Sequence, residues 1–221
     1  MEDIPDSHPR KASLLARSRL TEAAAEGLLA ESAMIAHGRG EAFDYLLGEK
    51  TSDSALKAIR ESAARLLRAD NPVISMNGNS TVLAGKDAIR VAAIIGCPIE
   101  VNIYYRTDER MAKLIATLES WKSEIAKEDV RVSNVEILGA NADGRIDGLE
   151  GPRAFCSSRG IESADVILVP LEDGDRCEAL IALGKQVIAI DLNPLSRTAR
   201  TATVTIVDEV TRTMARLCET L

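Results

Sequence analysis

The sequence predicts an α/β fold, a mostly parallel sheet flanked by helices behind a helical N-terminal segment. Three observations carry this. From Asn71 onward, short apolar runs alternate with helix-length stretches, the pattern of strands joined by crossover helices. Residues 1–70 hold no such alternation and are rich in Ala, Leu, Glu and Arg. One run, Val187-Ile188-Ala189-Ile190, ends in Asp191-Leu192-Asn193-Pro194-Leu195-Ser196-Arg197-Thr198, so a buried strand delivers polar groups at its carboxyl end. Open α/β sheets place their ligands there.

Taken in order, residues 13–29 predict a first helix. Residues 35–48 place Gly38 and Gly40 around Arg39, which predicts a turn entering a short helix. Asp53 or Ser54 caps a further helix running to Arg68, with Leu56, Ile59, Ala63, Leu66 and Leu67 on one stripe. Strands are predicted at 73–76, 99–104, 134–138, 165–169, 187–190 and 203–207. Helices are predicted at 82–95, 108–126, 175–183 and 209–219. Residues 139–163 break the rhythm, with Gly139, Asn141, Gly144, Gly148, Gly151 and Pro152 in close succession. They predict a long loop near a site or an interface. There is no solenoid repeat and no low-complexity linker. The 221 residues therefore predict a single domain, with 1–70 as its helical segment and 71–221 as its sheet core.

Hydrophobic residues make up 46% and aromatics only 3%, so the core must be built from Ala, Leu, Ile and Val. A net charge of -7 argues against non-specific binding of nucleic acid or anionic membrane. No stretch reaches the roughly 18–20 apolar residues of a membrane span. The acidic start Met1-Glu2-Asp3-Ile4-Pro5-Asp6 does not resemble a secretion signal. Cys97, Cys156, Cys177 and Cys218 form no Cys-x-x-Cys pair, which predicts reduced thiols in a cytoplasmic protein. With only His8 and His37, a His-rich zinc site is not expected. What remains is a small anionic molecule, bound where arginines and backbone amides gather.

Three segments and a few separate arginines offer such chemistry. Ser75-Met76-Asn77-Gly78-Asn79-Ser80-Thr81 joins a strand to a helix, which aims free N–H groups at an anion. It is neither G-x-x-x-x-G-K-[ST] nor G-x-G-x-x-G, and the alternative is an ordinary strand-to-helix turn. Leu168-Val169-Pro170-Leu171-Glu172-Asp173-Gly174-Asp175-Arg176 closes another strand. Its acids suit Mg²⁺ or a cationic amine, or else Asp173 or Asp175 simply caps the next helix. In His37-Gly38-Arg39-Gly40-Glu41 the glycines permit close backbone approach, and the Arg39 fork suits phosphate; a helix-ending turn with a surface arginine is the alternative. Arg17 and Arg19 lie on the first helix, and Arg106 follows a strand where a sheet-end ligand can reach it. No G-x-S-x-G elbow or paired histidine supports a covalent nucleophile.

Together the segments carry a resemblance. Its blocks are Ile4-Pro5-x-Ser7-His8-Pro9-Arg10, the run from Ile35 to Gly48, Val73-Ile74-Ser75-x-Asn77-Gly78-Asn79, the run from Ala164 to Arg176, and Ala189-Ile190-Asp191-Leu192-Asn193-Pro194-Leu195-Ser196-Arg197-Thr198-Ala199. Over nearly its whole length, and in block order, the chain resembles the archaeal 4-phosphopantoate–β-alanine ligases, also called archaeal phosphopantothenate synthetases. The resemblance implies a Rossmann-like, cytoplasmic homodimer of coenzyme A biosynthesis. It implies ATP-dependent joining of 4-phosphopantoate to β-alanine through an acyl-adenylate, giving 4'-phosphopantothenate, AMP and pyrophosphate. The family's ATP positions fall here on Arg17, Arg39, Asp191, Leu192, Asn193, Arg197, Thr198 and a strand end that includes Val207 and Asp208. Combined with the residue chemistry, Arg39, Arg197, Asn77 and Asp173 are the expected catalytic set. Asn77, Gly78, Asn79, Arg106, Glu172 and Asp175 are the expected substrate contacts, and Mg²⁺ is expected with ATP, its ligands unassigned. Two other readings are a non-catalytic nucleotide-sensing module and an ADP-forming phospho-acid enzyme.

Overall fold

In the computed structural model, residues 4–170 and 173–221 are described. Three helices come first: α1 (Lys11–Ala25), α2 (Glu31–Leu46) and α3 (Asp53–Arg68). The alternating part follows as β1 (Pro72–Met76), α4 (Gly78–Ile95), β2 (Ile99–Val101), α5 (Asp108–Ile125) and β3 (Ile137–Leu138). Two short strands, β4 (Gly144–Arg145) and β5 (Phe155–Cys156), pair antiparallel on their own. Then come β6 (Val166–Pro170), α6 (Gly174–Ala182), β7 (Gln186–Ile190), α7 (Arg197–Thr201), β8 (Val204–Ile206) and α8 (Val210–Thr220).

Among the described residues the main sheet has six strands in the order β3-β2-β1-β6-β7-β8, and every pairing is parallel. This is the doubly wound order, which reverses between β1 and β6. Side chains alternate across it as a pleat demands. Ile74, Met76, Leu168, Ile188 and Ile190 face a core shared with α1, α3, α4, α5 and α8. Val73, Ile167, Val169 and Val187 face a second core with Cys177 and Leu180 of α6. The N-terminal helices contribute Leu20, Ile59 and Leu66 to the first of these cores.

Several expectations need correction. Residues 35–48 form no glycine turn, because Gly38 and Gly40 lie inside α2. A helical glycine costs about 1 kcal/mol against alanine, a cost the rest of α2 carries here; a Cβ at Gly40 would make only ordinary contact with Leu192 Cδ1 at 3.5 Å. The strand expected at 99–104 ends at Val101, and 134–138 shortens to Ile137–Leu138 behind a 3₁₀ turn at Val130–Asn134. The helix expected from 82 begins at Gly78, so the polar turn after β1 is its first turn. Residues 139–163 fold as a strap rather than an open loop. Ile146, Leu149, Ala154, Cys156 and Ile161 cover the second sheet face where a crossover helix would otherwise lie. Fully buried Glu100 on β2 anchors it, accepting from Ser157 N at 2.9 Å and Ile161 N at 2.8 Å. Burial raises the pKa of Glu100 despite these two bonds. A Cβ at Gly160 would come within 2.0 Å of Glu100 Oε2, so only glycine fits there.

No helix among the described residues is long and apolar enough to cross a membrane.

Candidate active site

The order reversal leaves a crevice at the carboxyl edge between β1 and β6, and Asn77 spans it. Its Oδ1 accepts from Ser80 N at 3.0 Å while Ser80 Oγ accepts from Asn77 N at 2.9 Å, a reciprocal cap on α4. Its Nδ2 donates to the Pro170 carbonyl of β6 at 3.1 Å. Gly78 permits close approach, since a Cβ there would sit 2.8 Å from Leu29 Cδ2 and displace that side chain. Buried Asn79 donates from Nδ2 to the Ala33 carbonyl of α2 at 2.9 Å. These three residues border a cavity of about 250 Å³ whose walls include Leu28, Leu29, Ala33, Ala36, Ile103, Tyr104 and Arg110.

A second cavity, of about 150 Å³, lies on the other side of Ala36. Its walls come from α1 (Ser13, Ala16), α2 (His37, Gly40, Glu41), Leu83, Leu192 and Glu209. Glu41 knits this wall together. Its Oε1 accepts from Arg17 at 2.6 Å, Ser13 at 2.7 Å and Arg10 at 3.2 Å. Burial pushes the Glu41 carboxyl up, yet the bonds from Ser13 and Arg17 and the Arg17 charge hold it below the usual range. Burial lowers the His37 pKa against the opposing pull of Glu41 and Glu209, so its imidazole is neutral at pH 7. The Leu192 wall is braced from within: Asp191 accepts from Asn193 N at 2.9 Å and from the Ser196 hydroxyl, and Asn193 Oδ1 accepts from Leu195 N at 3.0 Å.

A chain of alternating charges occupies the rest of the edge. Arg153, from the strap, pairs with Asp173 and, at 2.9 Å, with Asp175. Asp175 also takes Arg197 at 2.7 Å, and Arg197 reaches Glu178 at 2.8 Å. Hydrogen bonds from Arg153 and Arg197 hold the Asp175 carboxyl below the usual carboxylate range. Arg153 lies 5.2 Å from the Tyr104 ring centroid, which links this chain to the larger cavity. A Cβ on Gly174 would meet Arg197 Cβ at 2.8 Å, so glycine lets the arginine lie over the start of α6.

The sequence-predicted residues divide accordingly. Asn77, Gly78 and Asn79 line the larger cavity, and Leu192 lines the smaller one, with Arg17 and Arg39 one residue from its lining positions Ala16 and Gly40. Arg39 is exposed and has no hydrogen-bond or ion-pair partner among the described residues. Asp173 serves as the α6 cap, accepting from Asp175 N at 3.1 Å. Thr198 is buried in α7, and Val207 follows β8 as a half-buried connector. Asp208 faces inward: it is paired with Arg212 at 2.6 Å and accepts from Thr51 Oγ1 at 2.6 Å. Arg106 donates to the Gly139 carbonyl at 2.6 Å, steadying the start of the strap. Glu172 lies outside the described residues.

Sequence reasoning did not single out Arg153, Glu41 or Arg110. Arg153 sits among irregular strap residues with no periodic signal, and Arg110 reads as the ordinary first turn of a helix. Only Glu41, next to Gly40, carried a hint. Among the described residues no three carboxylate, imidazole or thiol groups gather as a metal cage. The edge therefore offers cations and amides for anions, beside two partly apolar cavities.

Known proteins match this chain along almost all its length. A family model described as phosphopantothenate/pantothenate synthetase matches residues 54–221. A 4-phosphopantoate–β-alanine ligase of Methanosarcina mazei is 48% identical over 219 residues, covering 99% of this chain and 82% of that protein. The ligase of the same name from Thermococcus kodakarensis is 47% identical over 219 residues, covering 99% and 80%. That of Methanospirillum hungatei is 47% identical over 214 residues, covering 97% and 83%. This chain belongs to the phosphopantothenate/pantothenate synthetase family.

Proposed function

We propose that this chain is an ATP-dependent ligase of coenzyme A biosynthesis. It joins 4-phosphopantoate to β-alanine, giving 4'-phosphopantothenate, AMP and pyrophosphate. One observation carries the reading: two cavities share the Ala36 wall at the carboxyl edge. Of the family's nucleotide positions Leu192 lines one, with Arg17 and Arg39 next in sequence to its lining residues, and Asn77, Gly78 and Asn79 line the other. A ligase that activates an acid with ATP needs this adjacency, because its gain comes largely from holding two reactants in line.

In this reading the adenosine enters the smaller cavity, against Leu192 and His37, with Asp191 and Asn193 at its rim. The triphosphate runs along the edge toward Arg197. Arg39, on the outer face of α2, is the second arginine assigned to phosphate, from where that face meets a second copy. The planar fork of each suits phosphate oxygens. Phosphopantoate occupies the larger cavity, beside the amides that open α4. A carboxylate oxygen attacks the α-phosphorus and pyrophosphate leaves, with Arg39 and Arg197 offsetting the charge that develops. The neutral amine of β-alanine then attacks the activated carbonyl, and AMP leaves. Asp173 and Asp175 orient the incoming ammonium before it loses its proton. Mg²⁺ would be held mainly by the phosphate oxygens of ATP and water, and would supply charge that offsets the triphosphate.

A homodimer is supported by α2. Ile35, Phe43 and Leu46 share one face with Arg39 and are exposed by 69%, 37% and 81%. Such an apolar stripe is costly in water and fits a second copy of the same helix. No disulfide joins the four cysteines among the described residues, and three of them are buried, which accords with a cytoplasmic enzyme. The core shared by the N-terminal helices and the sheet supports one ligase domain over the whole chain.

The test is substrate omission. With ATP, 4-phosphopantoate and β-alanine together, mass spectrometry should detect phosphopantothenate, and omitting any one should abolish it. ATP bound but never consumed would favour a sensing module, and ADP as product would favour a phospho-acid enzyme.

A further inference from the structure

Two residues lining the larger cavity each hold a buried polar atom with no partner among the described residues, and the two atoms are chemically complementary. Asn79 is only 7% exposed, and its Oδ1 is buried with no hydrogen bond. Its orientation is set by the other end of the amide: turning it over would face an oxygen against the Ala33 carbonyl, 2.9 Å away. Arg110 donates from Nη1 to the Tyr105 carbonyl at 2.6 Å, while its Nε is buried and unpaired. A buried group left unpaired costs about 1–3 kcal/mol, more when charged, so such atoms in a cavity wall point to a ligand that completes them.

The missing ligand must bring a hydrogen-bond donor to Asn79 Oδ1 and an anionic acceptor to Arg110 Nε. It must also cover the aliphatic walls made by Leu29, Ala33 and Ile103. No carboxylate lines this cavity among the described residues, so a free ammonium such as that of β-alanine is poorly served. A branched 2-hydroxy acid meets every requirement. Resting on the function proposed above, we infer that Asn79 is the specificity-determining residue for the 2-hydroxyl of 4-phosphopantoate. That hydroxyl donates to Asn79 Oδ1, the geminal methyls pack on Leu29, Ala33 and Ile103, and Arg110 holds an anionic oxygen of the same molecule.

The experiment compares kcat/KM for 4-phosphopantoate with that for its 2-deoxy analogue, 4-phosphooxy-3,3-dimethylbutanoate. The wild type should prefer the hydroxy acid by about 10- to 100-fold, the range a single unmade buried hydrogen bond commands. In Asn79→Leu the preference should collapse to near unity, because the acceptor that read the hydroxyl is gone. A folded Asn79→Leu enzyme, checked by circular dichroism, that keeps the wild-type preference overturns the inference. Should that variant fail to fold, the wild-type ratio decides alone: equal use of both acids overturns the inference and leaves the ligase reading standing. A wild type that ligates neither acid overturns the ligase reading and this inference together. Arg110→Met should raise KM for phosphopantoate about tenfold or more and leave KM for β-alanine unchanged, the loss expected of a charge-assisted bond; an unchanged KM for phosphopantoate removes Arg110 from the site.

Discussion

Asn77 joins the two strands between which the sheet order reverses, its Nδ2 bonded to the Pro170 carbonyl at 3.1 Å while its Oδ1 caps α4. One side chain thus sets both the width of the crevice and the start of the helix that opens into the larger cavity. Asn77→Ala removes both bonds and should lower stability by about 1–3 kcal/mol, the sum of a lost cap and a lost hydrogen bond. Asn77→Ser can still cap and should regain part of that loss. It cannot reach Pro170, so its kcat should remain well below that of wild type. Urea unfolding beside steady-state kinetics checks this; a serine variant with full kcat contradicts a role for the cross-strand bond.

Arg39 and Arg197 should separate activity from stability. Among the described residues Arg39 is exposed and without a partner, and Arg197 is 62% exposed with surface carboxylates as its ion-pair partners. Replacing either with alanine should leave the urea midpoint nearly unchanged. The kcat/KM for ATP should fall about 10- to 100-fold, as expected for losing a hydrogen bond to a charged group. Near-normal turnover in both variants contradicts their assignment to the phosphates.

Arg212 should behave in the opposite way. It lies between Asp44, at 2.5 Å, and Asp208, at 2.6 Å, whose side chains are 7% and 1% exposed. Arg212→Met leaves two buried carboxylates facing each other and should cost about 3–5 kcal/mol, the usual penalty for removing one partner of a buried ionic group. Urea denaturation measures it, and a loss below about 1 kcal/mol would place the pair among surface-type bridges. Asp208 therefore braces Arg212, which with Asp44 lines the smaller cavity.

Strands 73–76, 165–169 and 187–190 were legible because they are buried on both faces and read as continuous apolar runs. The chain beyond Val101 was not, because apolar Ile103 and Tyr104 prolong the run after the strand has ended; Asn102 N bonds to the Met76 carbonyl at 2.7 Å as the chain leaves the sheet. In α2, Gly38 and Gly40 read as breakers, although the helix runs through both. For the site, the loops were legible but the pairings were not. A sequence displays Arg153, Asp173, Asp175 and Arg197 as charges, whereas their alternation depends on a strap whose anchor, Glu100, lies more than fifty residues upstream of its partners.

His37 gives stability a pH dependence. Its folded pKa is held below the ordinary value by burial, so below about 6.5 the unfolded chain binds more protons than the folded one. Its contribution is complete above that pH and is lost as pH falls through the folded pKa. His37→Gln should flatten the fall of the urea midpoint between pH 7 and pH 5. An unchanged slope contradicts burial of a neutral imidazole.

The thiols should be silent. Burial pushes Cys97 and Cys156 up to about 12 and Cys218 up to about 11. At pH 8 their thiolate fractions are small, and a disulfide reagent such as DTNB should titrate them only after urea is added. Rapid labelling of any of these three in the folded protein contradicts the burial.

The most direct test of the ligase account follows oxygen. With 4-phosphopantoate labelled by ¹⁸O in its carboxylate, attack on the α-phosphorus transfers one labelled oxygen to the nucleotide. Phosphorus NMR should then find the label in AMP, alongside unlabelled pyrophosphate. Label recovered in inorganic phosphate, with ADP as the nucleotide product, would contradict it.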